Sequence, residues 1–295
     1  MALRKISVLI PVNSQKFLAE TLRSVQSQSI DHDLIEIVLI LDRIDLDLVK
    51  QIIKAEIKDI PVLIYESNFP GIVSALNLGL EKSNGELIAR LDHDDVMLPN
   101  RLNIQFEFLE KNLDFAAVGG QIQLINESGL LIGKAKYPSG PKNCKQTMFY
   151  SSPIPHPAVM FRKKIVLGLG GYREEIPEDW DLWVRLIENA KVGNLKSPVI
   201  NYRVHSEQLS RMSMYQMGSA RKAVITSLRL RRKGLHDLPP ENLNLDKWYE
   251  QITKEFSLGF LILLLDRLRW FTWESIQFFY RIVRHVKKYK VFKQE

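Results

Sequence analysis

The sequence GELIARLDHDDVMLPNRL, residues 85–102, combines an apolar run with a cluster of acidic residues. Its apolar run, Leu87-Ile88-Ala89, is typical of a short buried strand. The run is followed by Asp92-His93-Asp94-Asp95, three carboxylates and a histidine in four positions. Because packed carboxylates repel one another, the cluster predicts a cation nearby. We interpret Asp95 as a cap for the helix that follows.

The segments around this stretch alternate between apolar runs and helical periodicity. Strands are predicted at 6–10, 35–41, 61–65 and 86–91, and helices at 17–28, 46–57, 72–82 and 101–112. Such alternation predicts an α/β fold with a parallel, doubly wound sheet. Ligands of these sheets bind beyond the carboxyl ends of the strands. Three polar segments fall at such ends, namely Pro11-Val12-Asn13, Asp42-Arg43 and Asp92 to Asp95.

The second half of the chain has a different character. Residues 116–137 are predicted to form strands and a turn, and 151–157 a proline-rich loop. A helix with acids in its first turn is predicted from Glu178, and a short strand at 199–204. From residue 219 onward the periodicity indicates helices.

The net charge of +7 is concentrated near the C-terminus. Residues 221–295 contain 16 Lys and Arg against 8 Asp and Glu, whereas residues 1–220 contain 25 against 26. A neutral body with a basic end argues against a nucleic-acid-binding protein. One cysteine, Cys144, excludes a disulfide framework and a thiolate zinc cluster.

The basic end is also amphipathic and rich in aromatic residues. Its longest uncharged run, Phe256 to Leu265, is too short for a membrane span of about 20 residues. We therefore expect the end to bind the surface of an anionic membrane; the alternative is a helical pair packed on the body. The N-terminus lacks the pattern of a cleavable signal, which favours a cytoplasmic location.

The acidic cluster has a chemical interpretation of its own. Asp92 and Asp94 at a strand end can place two carboxylates on one side, with His93 facing away. Hard oxygen ligands of this kind suit Mg²⁺ or Mn²⁺, which commonly bridge to substrate phosphates. The alternative is a solvated turn without a metal.

Several ordered motifs resemble those of one enzyme family. They are SVLIPVNSQKFLAETLRSVQSQS (7–29), EIVLILD (36–42), NFPGIVSALNLGLEKSNGELIARLDHDDVMLPNRLNIQFEFLE (68–110), HPAVMFRK (156–163), EDWDLWVRL (178–186) and NYRVHSEQLS (201–210). Together they resemble family 2 glycosyltransferases of bacterial surface-polysaccharide assembly. The resemblance implies a GT-A fold over residues 1–218, with a nucleotide-sugar-binding half (1–115) and an acceptor and catalytic half (116–218). Residues 219–295 then form a C-terminal basic, amphipathic helical region.

The resemblance also implies a donor site. Its residues would be Pro11 and Asn13 beside the nucleotide, Asp42 at the base, and Asn77, Arg90 and Asp92 along the nucleotide and diphosphate. Family members often have a second Asp before the base-binding acid and Gly-Ser after it. This chain has Leu41 and Arg43 there, which weakens the case for uracil. A surface amide for Asn77 and a structural salt bridge for Arg90 are the alternatives.

The metal would be held by Asp94 as principal ligand, with Asp92 and His205 as further ligands. Asp179 resembles the catalytic base, and Glu178 and Asp181 are near alternatives. An acid stabilised by the helix dipole is the structural alternative for Asp179.

Two further residues are possible contacts of the substrates. His156 is expected to face the donor phosphates or the acceptor. Trp180 is expected either to border the acceptor sugar or to pack in the helix core.

The sequence therefore predicts an inverting, metal-dependent glycosyltransferase. It would move a sugar from a nucleotide-sugar, a UDP-sugar in the first instance, to a saccharide or lipid-linked glycan, with Mn²⁺ or Mg²⁺ as cofactor. Its expected location is peripheral, on the inner face of the plasma membrane. One alternative is a nucleotidyltransferase of similar fold, although PVNSQKF lacks the glycine-rich loop of such enzymes. Another is a catalytically degenerate protein that binds membrane surfaces.

Overall fold

A computed structural model describes residues 5–174, 177–205 and 214–237, with the side chains of 214–219 excepted. Most of the predicted membrane-binding region, including Phe256 to Leu265, lies outside the described residues. Within them, no helix has the length and apolar character needed to cross a membrane.

The described residues form one mixed sheet flanked by helices. The strands are β1 (Ile6–Val12), β2 (Ile35–Leu41), β3 (Val62–Glu66), β4 (Leu87–Arg90), β5 (Val96–Met97), β6 (Phe115–Ile125), β7 (Leu131–Ala135), β8 (Met160–Arg162) and β9 (Lys191–Arg203). The α-helices are α1 (Leu18–Gln26), α2 (Leu46–Glu56), α3 (Ile72–Lys82), α4 (Arg101–Lys111), α5 (Pro141–Thr147), α6 (Lys163–Gly168), α7 (Glu178–Asn189) and α8 (Met214–Arg232). Short 3-10 turns span His32–Leu34 and His156–Ala158.

The strand order is β3-β2-β1-β4-β8-β6-β9-β5, with β7 paired to β6. The first four strands are parallel, as predicted, and β6 and β9 are parallel to each other. Strand β8 runs antiparallel between β4 and β6. In the parallel half, Val12 pairs with Leu41 and Leu9 with Arg90, so the carboxyl ends of β1, β2 and β4 meet at one edge.

Two apolar clusters cover the two faces of the sheet. One packs the sheet against α1, α2 and α4, through residues such as Leu22, Val49 and Leu102. The other packs it against α3, α6 and α7, through residues such as Leu76 and Leu182. Strands β1 and β2 are buried along their whole length, which explains why their sequences are continuously apolar rather than alternating. The predicted α/β fold with parallel strands β1 to β4 is confirmed.

The structure differs from the prediction in several elements, including helices α5 and α6, which were not predicted. Strand β9 begins at Lys191, eight positions before the predicted start at 199, and the short strands β5 and β8 were not predicted. Asp95 does not cap the next helix, because β5 follows it directly and α4 begins after Asn100.

Helix α8 packs on α7 and on the end of α5. Ala220, Val224 and Leu228 of α8 contact Trp180 and Val184 of α7 in a small apolar cluster. The predicted boundary between residues 218 and 219 falls inside this helix. The described part of the basic region therefore includes helix that packs on the body.

Candidate active site at the carboxyl ends of the strands

The acidic cluster forms a turn directly after β4. Asp92, Asp94 and Asp95 each place a carboxylate oxygen within 4.8 Å of the other two. Asp95 is fully buried, Asp94 is 8% exposed, and Asp92 is half-buried. Three carboxylates this close are stable only with protons or cations between them.

His205 joins this turn from the end of β9. Its Nε2 lies 2.8 Å from Asp94 Oδ2, across 111 residues of sequence. Arg203, on the same strand end, explains the placement: its backbone N–H donates to Asp95 Oδ1 at 2.9 Å, and its Nε donates to the Asp94 carbonyl at 3.0 Å. The structure thus brings together the three residues that the sequence analysis assigned to a metal: Asp92, Asp94 and His205.

The cluster contains polar atoms that lack partners among the described residues. They are Asp95 Oδ2, His205 Nδ1 and two guanidinium nitrogens of Arg90, Nε and Nη1. Arg90 forms an ion pair with Asp92 through its remaining nitrogen. Burial nevertheless raises the pKa of Asp92, and it raises that of Asp95 well above the usual range, with the neighbouring carboxylates adding to both shifts. Carboxylate oxygens beside one imidazole fit Mn²⁺ or Mg²⁺.

A second arginine holds the backbone behind the cluster. Arg101 is fully buried and donates to the carbonyls of Arg90 at 2.6 Å, Pro157 at 2.8 Å and Val159 at 3.2 Å. Burial lowers the pKa of Arg101 to about 9. Through these hydrogen bonds, Arg101 connects the end of β4 to the HPAV segment, residues 156–159.

Glu178 and Asp179 form the first turn of α7. Ser152 Oγ donates to Asp179 Oδ2 at 3.0 Å, and the Trp180 N–H donates to Asp179 Oδ1 at 2.6 Å. Burial raises the pKa of Asp179. Burial, followed by the charge of Asp179, raises the pKa of Glu178 to about 7. The charges of Arg90 and Asp92 also act on Glu178, so this turn and the acidic cluster share one electrostatic environment.

His156 is buried, and it lies close enough to Arg90 to be affected by the charge of that arginine. Its Nε2 lies 3.0 Å from the Tyr172 hydroxyl, and its ring packs edge-on against Trp183. Burial, aided by the charge of Arg90, lowers the pKa of His156 well below the usual range, so the imidazole is neutral. Its contact with donor or acceptor stays a prediction.

Asn77 and Trp180 are engaged by the protein itself. The Asn77 amide exchanges two hydrogen bonds of 2.9 Å with the backbone of Tyr172. The Trp180 indole donates to the Met148 carbonyl at 2.9 Å, and the side chain is 5% exposed. Both side chains therefore have hydrogen-bond partners within the protein, and the donor contact of Asn77 and the acceptor contact of Trp180 stay predictions.

Asp42 follows β2 at the same edge of the sheet. Its carboxylate accepts from the Gly71 N–H at 3.1 Å and from Arg43 Nε at 2.9 Å. Arg43 adopts φ +57°, a left-handed conformation that favours glycine. Pro11 lies buried in β1, and Asn13 is exposed just after it. The position where the family commonly has glycine therefore keeps a glycine-like backbone here.

The fold and this site define a glycosyltransferase-type α/β protein. The model of the family described as Glycosyl transferase family 2 matches residues 7–168. The chain is 34% identical over 222 residues to the O-antigen biosynthesis glycosyltransferase WbnJ of Escherichia coli, covering 72% of this chain and 86% of WbnJ. It is 30% identical over 212 residues to the amylovoran biosynthesis glycosyltransferase AmsE of Erwinia amylovora, covering 70% of this chain and 78% of AmsE.

Two solved structures share the fold. TarS of S. aureus, in complex with UDP-GlcNAc, superposes with a TM-score of 0.61 at 18% identity, over 86% of this chain and 73% of TarS. The mannosyltransferase PcManGT of Pyrobaculum calidifontis, in complex with GDP-Man and Mn²⁺, gives 0.56 at 15% identity, over 80% and 66%. The chain belongs to glycosyltransferase family 2, and it is an enzyme of that class.

Sequence reasoning missed several residues that organise the site. Ser152 lies in the SSPIPHP loop, and Arg101 and Arg203 lie in the stretches PNRL and NYRVH that carried the resemblance. Neither arginine stands in an apolar run, because Asn100 and Asn103 lie beside Arg101, and Asn201 and His205 lie beside Arg203, so the sequence had no signal for their burial.

Proposed function

We propose that this glycosyltransferase transfers a sugar from a UDP-sugar to a saccharide or lipid-linked glycan, with inversion at the anomeric carbon. The contact between Asp94 and His205, beside two further carboxylates, carries the proposal. It supplies a mixed oxygen and nitrogen ligand set at the edge of the sheet where nucleotides bind in α/β folds.

The proposed metal ligands are Asp94, Asp92 and His205. When bound, the divalent cation would neutralise the charge that develops on the leaving diphosphate. Arg90 supports the same assignment, since its Nε and Nη1 have no partner among the described residues and are free to donate to phosphate oxygens. Asp42 accepts hydrogen bonds at the end of β2, where a carboxylate suits the N–H of a uracil base.

Asp179 is the proposed catalytic base. As the acceptor oxygen bonds to the anomeric carbon, the bond from that carbon to the diphosphate oxygen breaks, and Asp179 accepts the hydroxyl proton. Ser152 fixes one carboxylate oxygen, and the Trp180 N–H fixes the other. The raised pKa of Asp179 makes it a better proton acceptor than an exposed carboxylate. Glu178, whose pKa is about 7, is the alternative base.

The relatives support the choice of substrates. A protein 29% identical to this chain is described as a UDP-Gal:alpha-D-GlcNAc-diphosphoundecaprenol beta-1,3-galactosyltransferase of Escherichia coli. A lipid-diphosphate acceptor of this kind would place the present enzyme at the inner face of the plasma membrane.

A donor screen tests the proposal. The full chain is incubated with Mn²⁺, a polyprenyl-diphosphate-linked sugar and UDP-, GDP- or dTDP-sugars in turn, and nucleotide release is measured with and without acceptor. We expect acceptor-stimulated release of UDP that is lost in Asp94→Asn. Release of GDP or dTDP alone would contradict the UDP assignment, and release that is independent of Mn²⁺ would contradict the metal site.

A further inference from the structure

The turn between β6 and β7 presents three consecutive apolar side chains to solvent. Leu130 is 65% exposed, and Leu131 and Ile132 are each 57% exposed. We name these three residues the hairpin tip. Successive side chains of a strand point to opposite faces, so exposure of both Leu131 and Ile132 leaves the tip open on both sides. Exposed apolar residues that are adjacent in this way mark a binding surface more often than scattered ones do.

The turn that carries the tip is well defined. The Asn126 N–H donates to the Leu130 carbonyl at 3.0 Å, and the Leu130 N–H donates to Asn126 Oδ1 at 2.9 Å. Gly129 adopts φ +82° between them. A closed turn of this kind presents the tip in a fixed orientation and lowers the entropy lost when the tip binds.

The charge that follows the tip in the sequence is positive, whereas Glu127 before the tip pairs with Lys16. Residues 128–173 contain eight Lys and Arg and no Asp or Glu. Lys134 and Lys136 follow the tip directly and are exposed, and Lys142 and Lys145 on α5 are exposed as well. Apolar side chains flanked by lysines match an anionic bilayer, where acyl chains accept the former and lipid headgroups the latter.

The hairpin is joined to the proposed metal site through one residue. Arg203 donates to the Glu127 carbonyl at 2.8 Å and to the Asp94 carbonyl at 3.0 Å. In addition, Lys16 pairs with Glu127 at 3.0 Å. A membrane contact at the tip would therefore bring Asp94 close to the lipid surface.

We infer that the hairpin tip inserts into the headgroup region of an anionic bilayer and presents the active site to it. This inference rests on the proposed function, since a lipid-linked acceptor requires the site to lie near a membrane. The hairpin tip is a different segment of the sequence from the basic C-terminal region. The tip is open on both faces. A bilayer surrounds an inserted tip and covers both faces, whereas a protein partner covers one face, so a bilayer suits the tip better.

Site-specific labelling tests the inference directly in the full chain. The sole cysteine, Cys144, is fully buried, so an introduced cysteine can be labelled selectively. Ile132→Cys receives an environment-sensitive dye, and Leu113→Cys is the matched control. Leu113 is 77% exposed and lies near the other end of β6, so it shares the exposure but not the position. Vesicles of phosphatidylglycerol and phosphatidylcholine are added, and vesicles of phosphatidylcholine alone serve for comparison.

We expect a blue shift of the dye at position 132 with the anionic vesicles and none at position 113. No shift at 132, an equal shift with neutral vesicles, or a shift that appears with protein concentration in the absence of vesicles would each overturn the inference. The last of these would indicate pairing between two copies through β7.

A second variant measures the contribution of the tip to binding. Leu130→Ser/Leu131→Ser/Ile132→Ser should weaken sedimentation with anionic vesicles at least tenfold, whereas Leu113→Ser should not. Circular dichroism checks that each variant is folded, and unchanged sedimentation of the folded triple variant would overturn the inference. Neither measurement needs donor or turnover, so failure of the proposed sugar transfer would show separately, in the donor screen.

Discussion

Two groups of carboxylates meet at the start of α7, and they differ in how their charge is compensated. Asp181 is fully buried and receives two hydrogen bonds from Arg173, at 2.9 and 2.6 Å, and one from Arg185 at 2.7 Å. Arg231, Asp237 and Glu188 extend this group, which we name the arginine cluster. It contains three carboxylates and three guanidinium groups.

The second group, which we name the carboxylate cluster, comprises Asp92, Asp94, Asp95, Glu178 and Asp179. The pKa values of four of its members are raised, those of Asp92, Asp95, Glu178 and Asp179. Arg90 forms the ion pair with Asp92, but the carboxylates outnumber it. Buried acids that are paired with arginines stabilise the fold. Buried acids that outnumber their positive partners are suited to binding a cation and to accepting a proton.

The largest effect that we predict is on turnover. Asp179→Asn should lower the rate of sugar transfer by about 10²–10⁴, the usual contribution of a general base, while donor binding persists. Single-turnover kinetics and UDP titration measure the two properties separately. Substantial remaining turnover would remove Asp179 from the role of base and leave Glu178 as the candidate.

A substitution in the arginine cluster should lower stability rather than turnover. Asp181→Asn removes a carboxylate that accepts from both Arg173 and Arg185, and Arg185 then has no other carboxylate partner among the described residues. The variant should lower the free energy of unfolding by about 3–5 kcal/mol. Asp179→Asn is the matched control on the same helix turn, and it should leave the free energy of unfolding unchanged or higher, because burial already disfavours that charge. Urea denaturation of both variants measures this. Equal destabilisation of the two would remove the distinction between the clusters.

The carboxylate cluster should also make stability depend on pH. The pKa of Glu178 rises from its ordinary value of 4.5 to about 7 on folding, so the folded state binds this proton more tightly. The free energy of unfolding should therefore fall as pH rises from about 4.5 to 7, and the loss should be complete above 7. Glu178→Gln should reduce this dependence by about 3 kcal/mol in metal-free protein. Identical pH profiles for variant and wild type would show that Glu178 ionises normally.

The smallest effect concerns the residue after Asp42. Arg43→Gly should raise the free energy of unfolding by about 0.5–1 kcal/mol, because glycine adopts φ +57° without steric cost. Arg43→Lys is the control, since it keeps the Cβ and the strain but loses the Nε contact with Asp42. Exposed ion pairs contribute little, so the lysine variant should match wild type. A gain in stability with lysine as well would assign the effect to loss of the Nε contact with Asp42 rather than to relief of backbone strain.

The strands differ in how well the sequence predicts them. The parallel strands β1 to β4 were predicted because each is a continuous apolar run bounded by helical periodicity. Strands β5 and β8 are too short, at two and three residues, to have a recognisable pattern. The first half of β9, KVGNLKSP, mixes charge, glycine and proline, and its pairing with β6 comes from the tertiary fold.

Within the site, the sequence indicated which residues are functional candidates, but it did not show which side chains contact them. The family resemblance placed Asp92, Asp94 and His205 together as metal ligands, whereas the strand-end argument covered only the acidic cluster. The sequence could not distinguish Asp179 from Asp181, which are two positions apart in similar surroundings of sequence. Only the fold shows that three arginines surround Asp181 and that Ser152 holds Asp179. The interpretation of Asp95 as a cap was wrong because the intervening strand β5 had no signal of its own.

We propose that the carboxylate cluster binds a divalent cation together with a nucleoside diphosphate. Calorimetric titration of UDP into the wild-type protein and into Asp94→Asn, each with and without Mn²⁺, measures whether it does. We predict that Mn²⁺ tightens UDP binding to the wild-type protein at least tenfold and leaves binding to Asp94→Asn unchanged. If the wild-type protein binds UDP equally well with and without Mn²⁺, the carboxylate cluster does not bind the cation together with the diphosphate.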